Sequence, residues 1–168
     1  MKEHVYKLTT KWTGNKGSGT SDYRSYERDH VVSADNKPDI FCSADAAFRG
    51  DKTKYNPEEL LVAALSGCHM LWFLHLCADS GIIVTEYIDN PKGVMTEADN
   101  GSGQFREITL NPAVTVTDRN MLNKLDGLHE KAHELCFISN SVNFPVRLEA
   151  IAKVSVTEDF SVVHSKNN

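Results

Sequence analysis

The chain has 168 residues, of which 40% are hydrophobic and 24% are charged. This length and apolar content are sufficient for one globular domain with its own core. The formal net charge is −5, and acidic and basic side chains are mixed along the chain. This pattern excludes the basic surface that binds a nucleic-acid backbone, so we expect no nucleic-acid partner.

The first seven residues contain no apolar run of the kind found in secretory signals. The four cysteines, Cys42, Cys68, Cys77 and Cys136, are too few to form the disulfide framework of a secreted scaffold of this length. We therefore expect reduced thiols and a cytoplasmic location.

The N-terminal part of the chain is typical of a β-hairpin. Residues 3–13 and 19–33 are predicted strands, and the glycine-rich residues 14–19 between them form the predicted loop. A phosphate-binding loop is the alternative reading of these glycines, but the Gly-Lys-Ser/Thr ending and the following helix are missing. A short third strand is predicted around residues 40–43.

A long helix is predicted next. Asn56 suits the N-cap, Pro57 the first helical position, and Glu58 and Glu59 the positive end of the helix dipole. Residues 60–78 form a run of nineteen residues without a formal charge, and Gly81 ends the helix. A run of this length could cross a bilayer.

Several features argue against a membrane span. The run contains two histidines, is bordered by carboxylates, and has no basic flank that would set its orientation. We therefore expect no membrane partner. A helix that is apolar around its whole circumference must be buried on all sides, and a second subunit supplies that burial most simply. The helix thus predicts a homodimer.

The rest of the chain alternates between strands and one more helix. Residues 82–98 and 104–117 are predicted strands around a hairpin turn at 99–103, and an amphipathic helix is predicted over 120–136. A last strand covers residues 146–157. The order β-β-β-α-β-β-α-β predicts an α+β fold. We expect one domain over residues 1–158 and a polar tail over 159–168.

Two of the cysteines lie at positions where they could take part in a reaction. Cys68 is inside the apolar helix, where a cysteine is most often a small hydrophobic core residue, and where a thiolate would need a nearby cation. Cys136 ends the second helix, at the negative end of the dipole, which disfavours a thiolate. If the two act together, Cys136 suits the resolving role. A merely structural role for both remains open at this point.

Residues 56–68, Asn-Pro-Glu-Glu-Leu-Leu-Val-Ala-Ala-Leu-Ser-Gly-Cys, resemble the central helix of the OsmC/Ohr family. In that family an Asn-Pro-Glu opening precedes the peroxidatic cysteine by the spacing from Glu58 to Cys68. Cys136, followed by Phe-Ile-Ser, is similar to the second cysteine. The predicted order of elements agrees with the family fold over nearly the whole chain.

The resemblance implies an intertwined homodimer with two active sites at the subunit interface. It also implies a thiol peroxidase. The sequence contains no nucleotide, flavin or haem motif, so we expect no bound cofactor, and we expect no metal. Cys68 would attack an organic hydroperoxide and become a sulfenic acid. Cys136 would condense with it to a disulfide, and a small dithiol or a thiol protein would reduce the disulfide.

The resemblance further implies an Arg–Glu pair that stabilises the thiolate. Glu58 matches the glutamate, and Arg49 is the first candidate for the arginine, with Arg24 and Arg28 as alternatives. Glu58 and Cys68 are about 15 Å apart along a continuous helix. Glu58 must therefore act through the arginine, from another subunit, or across a break in the helix.

Two alternative functions remain from the residues themselves. His129, His133 and Cys136 recur at i, i+4 and i+7 on the second helix, and Cys68 and His75 share a face of the first. Zinc could use such ligands. The other alternative is a binding or structural dimer whose cysteines only pack. Cys42 and Cys77 are interpreted as structural. His69 and Phe137 follow the two candidate active cysteines where the family commonly has an aromatic residue and a proline.

Overall fold

A computed structural model describes residues 2–155. The predicted tail at 159–168, and the last residues of the predicted final strand, lie outside this range. The chain divides into two compact units, the first ending at Ala63 and the second beginning at Ala64. The division falls inside one helix, and each unit is described by itself below. The single domain over 1–158 stays a prediction.

The first unit contains a three-stranded antiparallel sheet of β1 (Thr9–Trp12), β2 (His30–Ser33) and β3 (Ile40–Cys42). Thr9 pairs with Ser33, and Val32 pairs with Ile40. The predicted hairpin is confirmed, but its strands are four residues long. Between them the chain makes local bonds instead of a ladder: the Arg28 guanidinium donates to the carbonyls of Tyr23 and Tyr26.

Helix α1 (Pro57–Asp79) begins and ends as its sequence predicts. Asn56 Oδ1 accepts from the Glu59 N–H at 2.8 Å, and Glu59 Oε2 accepts from the Asn56 N–H at 3.1 Å. This is a capping box. At the other end, Gly81 has φ +69°, and the N–H of Ile82 donates to the Cys77 carbonyl at 2.8 Å, as in a Schellman motif.

The second unit contains two three-stranded sheets. One has the order β4 (Val84–Asp89), β7 (Pro112–Val116), β9 (Ile151–Val154), and the other has the order β5 (Lys92–Glu97), β6 (Gly103–Leu110), β8 (Val146–Leu148). Each of the three predicted strands is therefore one stretch of chain divided between two sheets. Asn111 lies at the break between β6 and β7, where the chain passes from one sheet to the other. Its N–H donates to the Asp89 carboxylate at 2.7 Å instead of joining a ladder.

The second predicted helix is confirmed with a change at its start. Residues Arg119–Lys124 form a 3-10 helix capped by Asp118, and α2 spans Leu125–Leu135. Cys136 is its C-cap. The apolar face of α2 packs with α1 and the first of the two sheets in the core of this unit, which includes Phe73, Cys77, Val114, Val116, Leu125 and Ala132.

The buried surface of α1 is narrower than its composition predicts. Leu65, His69, Phe73 and Cys77 are buried and recur every four residues, so they form a single stripe. Other apolar side chains of the helix are half-buried or exposed, and Leu71 is 67% exposed. By length and composition alone α1 could also cross a bilayer, a test that central helices of globular folds pass as well.

The capping box gives a first test. Asn56→Ala removes the side-chain acceptor for the Glu59 N–H, and we expect a loss of about 1 kcal/mol in the free energy of unfolding, measured by urea denaturation. Asn56→Ser retains a capping oxygen and should recover most of the loss. Equal destabilisation by both substitutions would show that the cap is not the cause.

Candidate active site

The two candidate active cysteines are brought together in the second unit. Cys68 lies at the middle of α1 and is half-buried, and Cys136 follows α2 and is 1% exposed. All four cysteines are free thiols. The Cys68 side chain is close enough to Cys136 to raise the pKa of its thiol. Two residues 68 positions apart in the chain thus lie near one another.

Cys136 is held in the protonated form. The pKa of its thiol is raised to about 11, first by burial and then by the neighbouring Cys68. The backbone N–H of Ser139, 3.4 Å from Cys136 Sγ, acts in the opposite direction. From the sequence we expect the helix dipole to disfavour a thiolate at Cys136, and in the structure the first cause acting in this direction is burial.

A pair of buried histidines lies beside the cysteines. His69 Nε2 and His129 Nδ1 are 3.0 Å apart, and the two side chains are 1% and 2% exposed. The His129 ring lies parallel to the His69 ring and also stacks on Phe73, with centroids 5.3 and 3.8 Å away. Two α1 side chains one turn apart thus hold a single α2 ring.

Both histidines are kept neutral. Burial is the main cause that lowers the pKa of each ring to about 4, and the neighbouring His133 also lowers that of His69. His69 Nδ1 is buried without a partner among the described residues. An unpaired buried lone pair is less costly than an unpaired N–H, so the hydrogen of His69 belongs on Nε2, donated to His129.

Asp89 connects α1 to the break between the sheets. One carboxylate oxygen accepts from Ser66 Oγ at 2.6 Å, and the other accepts from the Asn111 N–H at 2.7 Å. Nearby, the Tyr87 hydroxyl is buried and has no partner among the described residues. Burial raises the pKa of this phenol, and the charge on Asp89 raises it further. The bonds of Asp89 to Ser66 and Asn111 fix the turn of α1 that carries Cys68.

Glu58 and Arg49 belong to the first unit. Glu58 is half-buried in the first turn of α1. Arg49 is exposed and has φ +66°, an uncommon conformation for a residue with a side chain. Gly50 follows because a Cβ there would lie 1.6 Å from the Ala44 carbonyl oxygen.

The loop that carries Arg49 is held by Asp45. Its carboxylate accepts from the Ala47 N–H at 2.7 Å, and its carbonyl accepts from the N–H groups of Phe48 and Gly50. Backbone strain that the surroundings impose is often found at functional positions.

The alternative arginines differ in their surroundings. The Arg28 guanidinium lies 4.3 Å from the ring centroids of both Tyr23 and Tyr26, in addition to its bonds to their carbonyls. Its guanidinium thus makes two hydrogen bonds and two ring contacts within its own loop. Arg24 is exposed, and among residues 2–155 its side chain has no ion-pair partner.

The predicted zinc ligands do not converge. Within the described part of the chain, no group of three or more His, Cys, Asp or Glu side chains has the geometry to hold a metal ion. His129 is turned toward His69, and Cys136 toward Cys68. Cys42 and Cys77 are buried, and burial raises the pKa of both thiols, in agreement with their structural interpretation.

The histidine pair and Asp89 are the parts of the site that the sequence did not indicate. His69 occurs in the sequence only as a departure from a family pattern, and His129 only as a candidate zinc ligand. Their positions carried a signal, however. His69 falls on the stripe of Leu65, Phe73 and Cys77, and a histidine on a buried stripe requires a polar partner.

The neutral histidines predict a dependence of stability on pH. In the unfolded chain each ring takes up a proton near pH 6.5, whereas in the folded chain it is protonated only near pH 4. The free energy of unfolding should therefore fall as the pH drops from 6.5 to 4, by at most about 1.4 kcal/mol per pH unit for each histidine.

Urea denaturation across this range measures the effect. His69→Phe/His129→Phe should flatten the acid limb relative to wild type, and His75→Phe, at an exposed position on the same helix, should not. An unchanged slope in the double variant would contradict the assignment.

Comparison with known proteins agrees with this architecture. Residues 50–150 match the family described as OsmC-like protein. An OsmC-like protein of unknown function from Vibrio cholerae is 33% identical, with a TM-score of 0.79 over 90% of this chain and 100% of that one. No curated protein matches the sequence.

More distant structures share the fold. Organic hydroperoxide resistance proteins from Elizabethkingia anophelis and Legionella pneumophila, each 19% identical, have TM-scores of 0.64 and 0.60. Both alignments cover 92% of this chain and 100% of the other. The match over most of the chain and the 33% identity to the Vibrio protein lead to one conclusion: the chain belongs to the OsmC-like family.

Proposed function

We propose that this protein is a cytoplasmic thiol peroxidase that reduces organic hydroperoxides through Cys68 and Cys136. The observation that carries the proposal is the proximity of the two thiols, with Cys136 buried and Cys68 more accessible. Burial and the neighbouring Cys68 raise the pKa of the Cys136 thiol, so the proton stays on the less accessible sulfur. Hydroperoxide resistance proteins with the same fold support the substrate class.

The reaction starts at Cys68. Its thiolate attacks the terminal peroxide oxygen, the O–O bond breaks, and the alkoxide leaves as an alcohol after taking a proton. Cys68 is then a sulfenic acid. Being half-buried, Cys68 is accessible to a substrate from one side, while its other side faces Cys136.

Cys136 completes the oxidative half. Its sulfur attacks the sulfenic sulfur, the S–S bond forms, the S–O bond breaks, and the thiol proton leaves with the hydroxyl group as water. A small dithiol or a thiol protein then supplies two electrons and two protons to restore both thiols. This return step needs a reducing compartment, in keeping with a cytoplasmic location.

Arg49 and Glu58 are proposed to stabilise the Cys68 thiolate as an ion pair. The constrained loop around Arg49 supports a positioning function for its backbone. The proposal includes a homodimer in which a second copy covers the apolar side chains near the thiols. Leu71 and Phe137 are 67% and 64% exposed, and Phe137 makes an edge-to-face contact with Trp72.

Titration of free thiols tests the reaction. One equivalent of cumene hydroperoxide added to reduced protein should remove two thiols per chain, and Cys68→Ser should prevent the loss. Cys77→Ser is the matched control on the same helix, nine residues further along. Cys136→Ser should accumulate a sulfenic acid at Cys68, detected with dimedone. Retention of all four thiols at stoichiometric peroxide would exclude the peroxidase and favour a binding or structural dimer.

The arginine has a separate test. Arg49→Ala should slow the reaction of Cys68 with peroxide by about 100-fold, because a charge that stabilises the reacting sulfur is removed. The rate for Arg49→Lys should lie between those of wild type and Arg49→Ala, and the rate for Arg24→Ala should equal that of wild type. Stopped-flow tryptophan fluorescence reports the rate. A large effect of Arg24→Ala with none of Arg49→Ala would transfer the assignment to Arg24.

A further inference from the structure

We infer that His69 is a positioning residue: its hydrogen bond to His129 sets the approach of Cys68 to Cys136, and so the ease with which the two thiols form a disulfide. The inference deepens the proposed function, and rests on it only for the peroxide-driven form of the reaction. The geometry behind it is the 3.0 Å bond from His69 to His129, which starts at the residue next to Cys68 on α1. Cys68 in turn lies close enough to Cys136 to affect its thiol.

The two contacts start from neighbouring residues of α1 but reach separate points near α2. His69 directly follows Cys68, whereas His129 and Cys136 are seven residues apart, or about 10 Å along a helix. A second point of attachment at this distance removes a rotation that a single contact would allow. The histidine pair therefore determines the orientation in which the end of α2 presents Cys136.

Two contacts of the His129 ring restrain the position of α2 against α1. The His129 ring is bonded to His69 at 3.0 Å and stacked on Phe73 with its plane 11° from parallel. The hydrogen bond thus fixes the direction of the ring, and the stack fixes its plane. Among the described residues, His69–His129 is the one side-chain hydrogen bond between the body of α1 and that of α2. The stack of His129 on Phe73 joins the same two helices without a hydrogen bond.

Disulfide formation is sensitive to such a restraint. The two Cα atoms must come within about 4.4–6.8 Å, with the Cβ–S–S–Cβ dihedral near a right angle. Misplacement of a reacting group by about 1 Å can slow a reaction by about 100-fold. A neutral histidine pair provides position without placing a charge beside the thiols, which a buried ion pair would do.

A redox equilibrium tests the inference without peroxide. Reduced protein and oxidised glutathione exchange to give the Cys68–Cys136 disulfide and two reduced glutathiones, and the equilibrium constant measures how well the thiols are placed. His69→Phe keeps the ring and loses the hydrogen bond, and we expect the constant to fall about tenfold or more. His69→Gln, whose amide nitrogen replaces Nε2, should recover most of it.

Four comparisons make the result specific. His75→Phe on the same helix should leave the constant unchanged. His129→Phe should match His69→Phe, and the double variant should be no worse than either, because both remove the same bond. With peroxide, His69→Phe should raise dimedone labelling of Cys68 without slowing its initial oxidation.

An unchanged constant in His69→Phe, or no recovery in His69→Gln, would overturn the inference. Should His69→Phe not fold, the comparison of His129→Phe with His129→Asn, whose amide oxygen replaces Nδ1, decides in the same way. Failure of the proposed function is distinguishable: wild type would then form the disulfide with glutathione, and His69→Phe would weaken it, while peroxide removed no thiols.

Discussion

The contact between α1 and the His129 ring organises the second unit around the thiols. Both rings are nearly inaccessible to water, so each must find its hydrogen bond inside the protein, and each finds it in the other. The stack on Phe73 continues this contact into the apolar core, where α1, α2 and a sheet meet. Because a polar bond and an apolar stack share one ring, α2 has little freedom to slide along α1.

Asp89 restrains the same turn of α1 from another side. The carboxylate accepts from Ser66, two residues before Cys68, and from the backbone where β6 gives way to β7. Through Asp89, the break between β6 and β7 is thereby bonded to α1. Such a break costs a ladder hydrogen bond, and the charge-assisted bond to Asn111 offsets that cost. The thiols lie between two polar attachments in an otherwise apolar region.

The two thiols differ in exposure. Burial disfavours a charge on Cys136 and keeps this thiol protonated. Cys68 lies on a less buried part of α1. In the proposed reaction, this difference makes Cys68 the sulfur that the peroxide reaches first. Arg49, in a strained and well-bonded loop of the first unit, supplies a candidate for the charge that a thiolate needs.

Local sequence determined the elements of this protein. The cap at Asn56, the glycine at 81, the apolar run between them and the amphipathic pattern before Cys136 all act over a few residues, and each predicted its helix. The spacing from the Asn-Pro-Glu opening to Cys68 was likewise sufficient to indicate the family. These features depend on backbone propensities and side chains one turn apart, which a sequence displays directly.

Only the tertiary structure decided what meets across these elements. The division of three strands between two sheets depends on Asp89 and Asn111, 22 residues apart, and the histidine bond joins residues 60 positions apart. His129 had the spacing of a metal ligand, yet its partner is a ring on another helix. The reason is physical: a buried polar group takes whichever partner packing brings within 3 Å, and helix packing is decided by the whole core.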